Sequence, residues 1–218
     1  MSEDGHRARK KAETRSRIAE AAARLFAARG YDDVTVVDVA RAAEVAEKTV
    51  YNYFPTKESL VLDRDEEEIA RLLAVLRCRP ADVPPAQVIR DDAMALVASI
   101  GSIPCDQVRG TIGALAALNP GVRRSCLEMI DRHAAILADQ LVEEIPGRVS
   151  EALRARIRAY ATQIAWVYMT IIDESGRRLA CGVEPRTVVR QIRPIVASVL
   201  DDLENVAPPC RPPRTEDP

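Results

Sequence analysis

Apolar residues recur at helical spacing along most of the chain, and no segment alternates polar and apolar residues as a half-buried strand would. This confines the fold to an all-α packing of amphipathic helices. Arg15 to Arg29 aligns Ile18, Ala22, Leu25 and Phe26 on one stripe and stops at Gly30, where a helix accepts a left-handed residue. Thr35 then precedes Val36-Val37-Asp38-Val39-Ala40. Asp38, three positions on, completes a capping box, although it is shorter than the preferred Glu. That helix ends near Ala43. Glu44-Val45-Ala46 makes a tight turn, and a third helix runs from Glu47 to Phe54, where Pro55 ends it.

Beyond Pro55 the helices lengthen. Thr56 is placed to cap one that reaches Arg77, with Ile69, Leu72, Leu73 and Leu76 inward. The prolines from Pro80 to Pro85 mark a loop, and Gln87 to Ile100 is the next helix. Pro104 to Leu118 reads as a weaker helix because Gly110 and Gly113 interrupt it. Pro120 opens a helix reaching Glu144, and Ser150 to Arg177 and Arg186 to Leu203 are the last two, the latter kinked or split at Pro194. About nine helices result. The expected division is a small N-terminal unit over 1–58, including an N-terminal arm, a larger helical unit over 59–205, and a disordered, proline-rich tail over 206–218.

Composition narrows the function. With 47% hydrophobic and 29% charged residues, the 218-residue chain can bury a sizeable core. No run approaches the length of a membrane-spanning helix, and no apolar stretch follows the N-terminus as in a secretory signal, so a cytoplasmic protein with no membrane partner is expected. Five scattered cysteines, Cys78, Cys105, Cys126, Cys181 and Cys210, suit reduced and mostly structural thiols better than a disulfide framework. No Cys/His spacing points to a metal, and no cofactor is expected. The net charge is −2, yet Arg7, Arg9, Lys10, Lys11, Arg15 and Arg17 face the single acid Glu13 over residues 6–17. Such a block fits either a solvated tail or a basic arm on nucleic acid.

Two short helices joined by a tight turn after a longer one make a helix-turn-helix candidate. Val39, Ala40, Val45, Val50 and Phe54 would face inward, with Ala43 at the crossing. The third helix would show Glu47, Lys48, Thr49, Tyr51, Asn52 and Tyr53 outward, a face with donors and acceptors for base edges and phosphates. Any helical hairpin with a polar face reads the same way from periodicity alone.

The residues themselves go further. T-x-x-D-V-A-x-A-A-x-V-x-x-x-T-V-Y-x-Y-F-P-T-K-E-x-L, from Thr35 to Leu60, closely resembles the TetR-family signature, and R-I-A-E-A-A-A-R-L-F-A-A-R-G-Y-D-D-V-T before it resembles that family's first helix and its exit. The resemblance covers roughly residues 12–62. It implies a phosphate contact for Thr35 at the start of the second helix, base or backbone contacts for Lys48, Thr49 and Tyr51, and phosphate contacts at the positions of Asn52, Tyr53 and Lys57. Val36 and Glu47 complete the DNA-binding set. Two departures stand out: Glu44 occupies a turn position usually held by glycine, and Ala46 replaces the usual Ser or Thr cap of the recognition helix.

The same resemblance implies a homodimer on a pseudo-palindromic double-stranded operator, released by a small-molecule effector of unknown identity. The last two helices carry surplus apolar surface, with Ala165, Tyr168, Ile192, Val196 and Val199 as interface candidates. Met94, Ile112, Met129, His133, Trp166 and Met169 are candidates for the effector pocket, each equally at home in a plain core. An activator of the same family is the alternative within the class. An enzyme is the alternative outside it, but the chain has no glycine-rich phosphate loop, no G-x-S-x-G and only two histidines.

Overall fold

The structure, a computed structural model, describes residues 3–80 and 82–206. Among them are nine α-helices: α1 (Glu3–Arg29), α2 (Val36–Ala42), α3 (Glu47–Tyr53), α4 (Asp65–Arg77), α5 (Pro85–Ile100), α6 (Ile112–Leu118), α7 (Pro120–Glu143), α8 (Glu151–Ala180) and α9 (Pro185–Asn205). The expected tail, beyond Val206, lies outside the described residues, as does Cys210. The first three helices pack around Ile18, Ala22, Phe26, Val39, Ala40, Val50 and Phe54, as their stripes dictate.

Three boundaries differ from the sequence pattern. The first helix begins twelve residues before Arg15, so the basic segment 6–17 is itself helical. Thr56 does not cap a long helix. Its side chain and that of Ser59 instead bond to each other's backbone N–H groups, at 3.2 Å in both directions, across the start of a 3-10 turn over Glu58–Leu60. Buried Leu60 fixes this turn, and α4 starts only at Asp65. The segment 104–118 divides into a 3-10 turn over Val108–Gly110 and α6, which Thr111 caps. Pro194, in contrast, neither splits nor ends α9. Its ring lies on the exposed face, as does Arg190, whose carbonyl is the one left without an N–H partner from Pro194.

The second half of the chain is built around α8. Helices α6 and α7 cover two sides of it, α9 a third, and α5 lies against both α8 and α9. The crossing of α6 and α8 is a backbone contact: a Cβ on Gly113 would sit 2.9 Å from the Ile172 carbonyl oxygen, and one on Gly176 would lie 2.8 Å from Gly113 Cα and overlap the Gly113 carbonyl. Gly113 therefore marks a close approach rather than a weak helix.

This arrangement corrects the interface reading. Ala165, Ile192 and Val196 are buried within the single chain, where α5, α6 and α7 pack on α8 or α9 and those two helices pack on each other. Val199 is half-buried, and half-buried Tyr168 donates its hydroxyl hydrogen bond to Asp92 Oδ2 at 2.7 Å. What remains exposed is the neighbouring stripe, Trp166 at 46% and Ile195 at 36%.

Ion pairs fasten the layers. Arg71 joins Asp92, tying α4 to α5; Arg79 joins Glu144, tying the end of α4 to α7; and Arg123 joins Asp173, tying α7 to α8. Arg90 reaches both Asp201 and Glu204 of α9 at 2.6 Å. Of the four described cysteines only Cys126 is buried, and burial pushes its thiol up to about 11. Cys78, Cys105 and Cys181 are exposed, so the expectation of mostly structural thiols fails for them.

Candidate nucleic-acid interface

The turn between α2 and α3 is set by its ends. The Thr35 hydroxyl accepts from Asp38 N–H at 3.1 Å, while Asp38 Oδ2 accepts from Thr35 N–H at 2.9 Å and from the Thr35 hydroxyl at 2.6 Å, a complete capping box. The two Thr35 bonds hold the Asp38 carboxyl below the usual carboxylate range. At the other end Glu44 takes φ +53, the left-handed conformation that glycine meets without strain. Ala46 precedes α3 in extended backbone with no side-chain cap.

These constraints orient α3. Val50 is buried, while Glu47, Lys48, Tyr51 and Asn52 form a continuous exposed stripe, with Tyr51 46% accessible. Thr49 and Tyr53 lie at its margins, half-buried, rather than at its centre. Thr35 is exposed at the start of α2 and Val36 is half-buried.

Two cations turn inward. Lys57 donates from Nζ to the Tyr31 carbonyl at 2.6 Å and lies 4.0 Å from the centroid of the Tyr31 ring, so it fastens the loop after α1 to the turn after α3. Burial pulls its pKa down, against the raising influence of Asp32, Glu58 and Asp33. Arg15 donates to the carbonyls of Tyr53 and Asp63, both at 3.1 Å, and its guanidinium stands 4.5 Å from the centroid of the Phe54 ring. In sequence Arg15 is one more charge in a basic run; only its inward position on the α1 stripe hints otherwise.

The helix-turn-helix meets the rest of the chain at a small set of contacts. A Cβ on Gly110 would stand 3.0 Å from both the Ala23 carbonyl and Ala27 Cβ, so the turn before α6 lies directly on α1. Asn119, which caps α7, donates from Nδ2 to Asp32 Oδ1 at 3.0 Å. Asp65, the first residue of α4, accepts from His133 Nε2 at 2.5 Å and from Arg132 at 2.6 Å.

None of the residues singled out for an effector pocket lines either of two clefts in the chain. His133 is committed to Asp65, Met129 and Met169 are buried core, Met94 and Ile112 are half-buried, and Trp166 faces outward on α8. Two clefts are lined by other residues. One, of about 290 Å³, opens between Arg15, Tyr53, Asp65 and Arg132; the other, of about 620 Å³, surrounds the α7–α8 connection at Ile145, Arg148 and Arg154.

Residues 18–63 match the family model described as bacterial regulatory proteins, tetR family. The HTH-type transcriptional regulator TcmR of Streptomyces glaucescens is 31% identical over 154 residues, which are 70% of this chain and 64% of that protein. This chain thus spans slightly less than two thirds of that relative's length. An uncharacterised HTH-type transcriptional regulator of Mycobacterium bovis, Mb2274c, is 30% identical over 145 residues, 66% of this chain and 69% of that protein. The chain belongs to the TetR family. Its fold agrees: NalD of Pseudomonas aeruginosa superposes with a TM-score of 0.54 over 89% of this chain and 97% of that one at 15% identity, and FadR of Thermus thermophilus with 0.51 over 94% and 98% at 24%. The family model ends at residue 63, so it covers the helix-turn-helix and the turn that opens α4, and leaves the remaining helices to the full-length relatives.

Proposed function

We propose that this TetR-family protein is a sequence-specific DNA-binding transcriptional regulator, acting as an effector-released repressor and as a homodimer on a pseudo-palindromic operator in the cytoplasm. The observation that carries the reading is the exposed stripe Glu47, Lys48, Tyr51 and Asn52 on a seven-residue α3 held over α2 by a capped, tight turn. Lys48, Tyr51 and Asn52 offer hydrogen-bonding groups to base edges, with Thr49 and Tyr53 at the rim reaching the sugar-phosphate. Thr35 meets phosphate through the free N–H groups that open α2, since its hydroxyl proton is committed to Asp38. Lys57 keeps two further donors beyond its bond to Tyr31. Glu44 and Glu47 set negative charge beside the duplex and raise the discrimination against sites that offer no compensating donor.

The two-fold partner in this reading packs on the exposed stripe of α8 and α9 around Trp166 and Ile195. In this reading residues 1–58 read DNA and 59–205 sense and dimerise. No described helix is long and apolar enough to cross a membrane.

The test is selection of duplexes from a random-sequence pool by the purified full chain, followed by a salt titration on the selected site. Enrichment of an inverted repeat, with log affinity falling linearly with log salt, is expected. Recovery of unselected sequence removes the reading. Placement of the selected site upstream of a promoter whose output rises on deletion of the gene distinguishes repressor from activator.

A further inference from the structure

We propose that Arg15 is a positioning residue for the recognition helix, pinning the C-terminal end of α3 to the turn that opens α4. The proposal rests on the reading of α3 as the helix that enters DNA. In sequence Arg15 belongs to the basic segment 6–17, which fits a solvated tail as well as a basic arm on nucleic acid. Its placement differs from that of Arg7, Arg9, Lys10, Lys11 and Arg17, which are all exposed, whereas Arg15 is half-buried. Its N–H groups are directed at two backbone carbonyls ten residues apart, Tyr53 and Asp63. Tyr53 is the last residue of α3, where a helix leaves carbonyls without partners. Asp63 lies in the turn two residues before α4 begins. The Phe54 ring beneath the guanidinium fixes the plane in which both bonds form.

The same turn is gripped from the other side. Asp65 accepts from His133 and Arg132 of α7, so a hydrogen-bonded path runs from α7 to Asp65, along two residues of backbone to Asp63, through Arg15, and into the end of α3. A displacement of the start of α4 cannot leave α3 in place unless Arg15 lets go. A planar fork with several donors can serve two carbonyls and stack on a ring; a lysine ammonium supplies the charge but not the plane. That difference separates positioning from phosphate binding.

Full-length Arg15→Lys and Arg15→Gln are to be compared with the parent on the duplex that the parent selects from a random pool and on an unrelated duplex of equal length. Positioning predicts that both variants lose operator affinity alike, by about tenfold, with binding to the unrelated duplex and its salt slope unchanged. Arg15→Lys binding operator as the parent does would overturn the proposal, because charge alone would then suffice. So would a parallel loss on both duplexes with the slope reduced by about one, the mark of a phosphate contact. Asp65→Asn, which leaves Arg15 intact, covers the case in which the Arg15 variants do not fold. It should weaken operator binding severalfold, and parent-like operator affinity in a variant that melts as the parent does overturns the proposal. A parent that selects no sequence overturns the recognition-helix reading itself, and this proposal with it.

Discussion

Gly176→Ala is the substitution whose sign best tests the packing of α6 on α8. Gly176 lies inside α8, where alanine should stabilise a helix by about 1 kcal/mol over glycine. The structure opposes that gain. A Cβ there overlaps the Gly113 carbonyl and lies 2.8 Å from Gly113 Cα, and its neighbours are backbone atoms that no side-chain rotation can clear. Carbon atoms settle at about 3.5 Å or more, so α6 and α8 would have to part by on the order of 1 Å. Overpacking of this kind costs up to about 3 kcal/mol, which leaves a net loss of about 2 kcal/mol. In a chain of this length that lowers the melting midpoint by roughly 4–8 °C. Gly147→Ala is the control: its φ is +85 with nothing within 4 Å, so it tests backbone conformation without overlap. Calorimetry or circular dichroism of the two variants decides the matter. A midpoint for Gly176→Ala at or above that of the parent would refute the backbone crossing, because propensity would then act unopposed.

Local geometry sets three further outcomes. Ala46→Ser should stabilise by about 1 kcal/mol in denaturant titration, since the extended residue before α3 lacks a side-chain acceptor for the first helical N–H groups; no gain would mean that other groups satisfy those donors. Asp63→Asn should stabilise at neutral pH, because burial raises the Asp63 carboxyl above its ordinary value despite Arg64 and Arg15 nearby. The folded chain then binds the extra proton more readily, so the parent loses stability as pH rises through the window just above the ordinary carboxylate range, and its disadvantage vanishes in acid, where both states are protonated; an Asp63→Asn variant less stable than the parent at neutral pH contradicts this. Trp166→Glu and Ile195→Glu should sediment as folded monomers, whereas Val196→Glu, 0% exposed, should fail to fold because its charge has no partner; a folded Val196→Glu monomer beside dimeric Trp166 and Ile195 variants would restore the other face of α9 as the interface.

Much of the fold is legible in the sequence because its determinants are local. The capping box of Thr35 and Asp38, the glycine after α1, the strain at Glu44 and the missing cap at Ala46 each involve residues within a few positions, and the structure contains all four. What sequence misjudges depends on distant partners. Gly113 reads as a weak point until Gly176 is found against it. The apolar stretch of α8 does not say which of its sides other helices cover, so the pattern sends Ala165 outward and Trp166 inward, whereas Ala165 is buried and Trp166 exposed. On α9 the stripe Val188, Ile192 and Val196 is one face, as the spacing says, but α5 and α8 of the same chain occupy it rather than a second copy. Lys57 carries a charge that the family resemblance sends to phosphate, and Arg15 sits in a run that fits a solvated tail or a basic arm; only the carbonyls of Tyr31, Tyr53 and Asp63 reveal that both face inward.

The junction between the two halves explains how a shift deep in the larger one can reach α3 without being absorbed on the way. Side-chain layers accommodate small displacements by changing rotamers, but two of the contacts along this route contain almost no side chain. The α6–α8 crossing is glycine on glycine, and the turn before α6 meets α1 through Gly110 against Ala27 and the Ala23 carbonyl. A movement of α8 would therefore carry α6 with it and press the 108–110 turn against α1. The polar grip at Asp65 holds the start of α4 to α7, so the same movement shifts α1 against a fixed α4 unless α7 moves too. Arg15 spans that joint, with its backbone in α1 and its donors on Tyr53 and Asp63. Relative motion of α1 and α4 must then either break its two bonds or turn the end of α3, and turning α3 would re-aim the stripe from Glu47 to Asn52 that is proposed to read base edges.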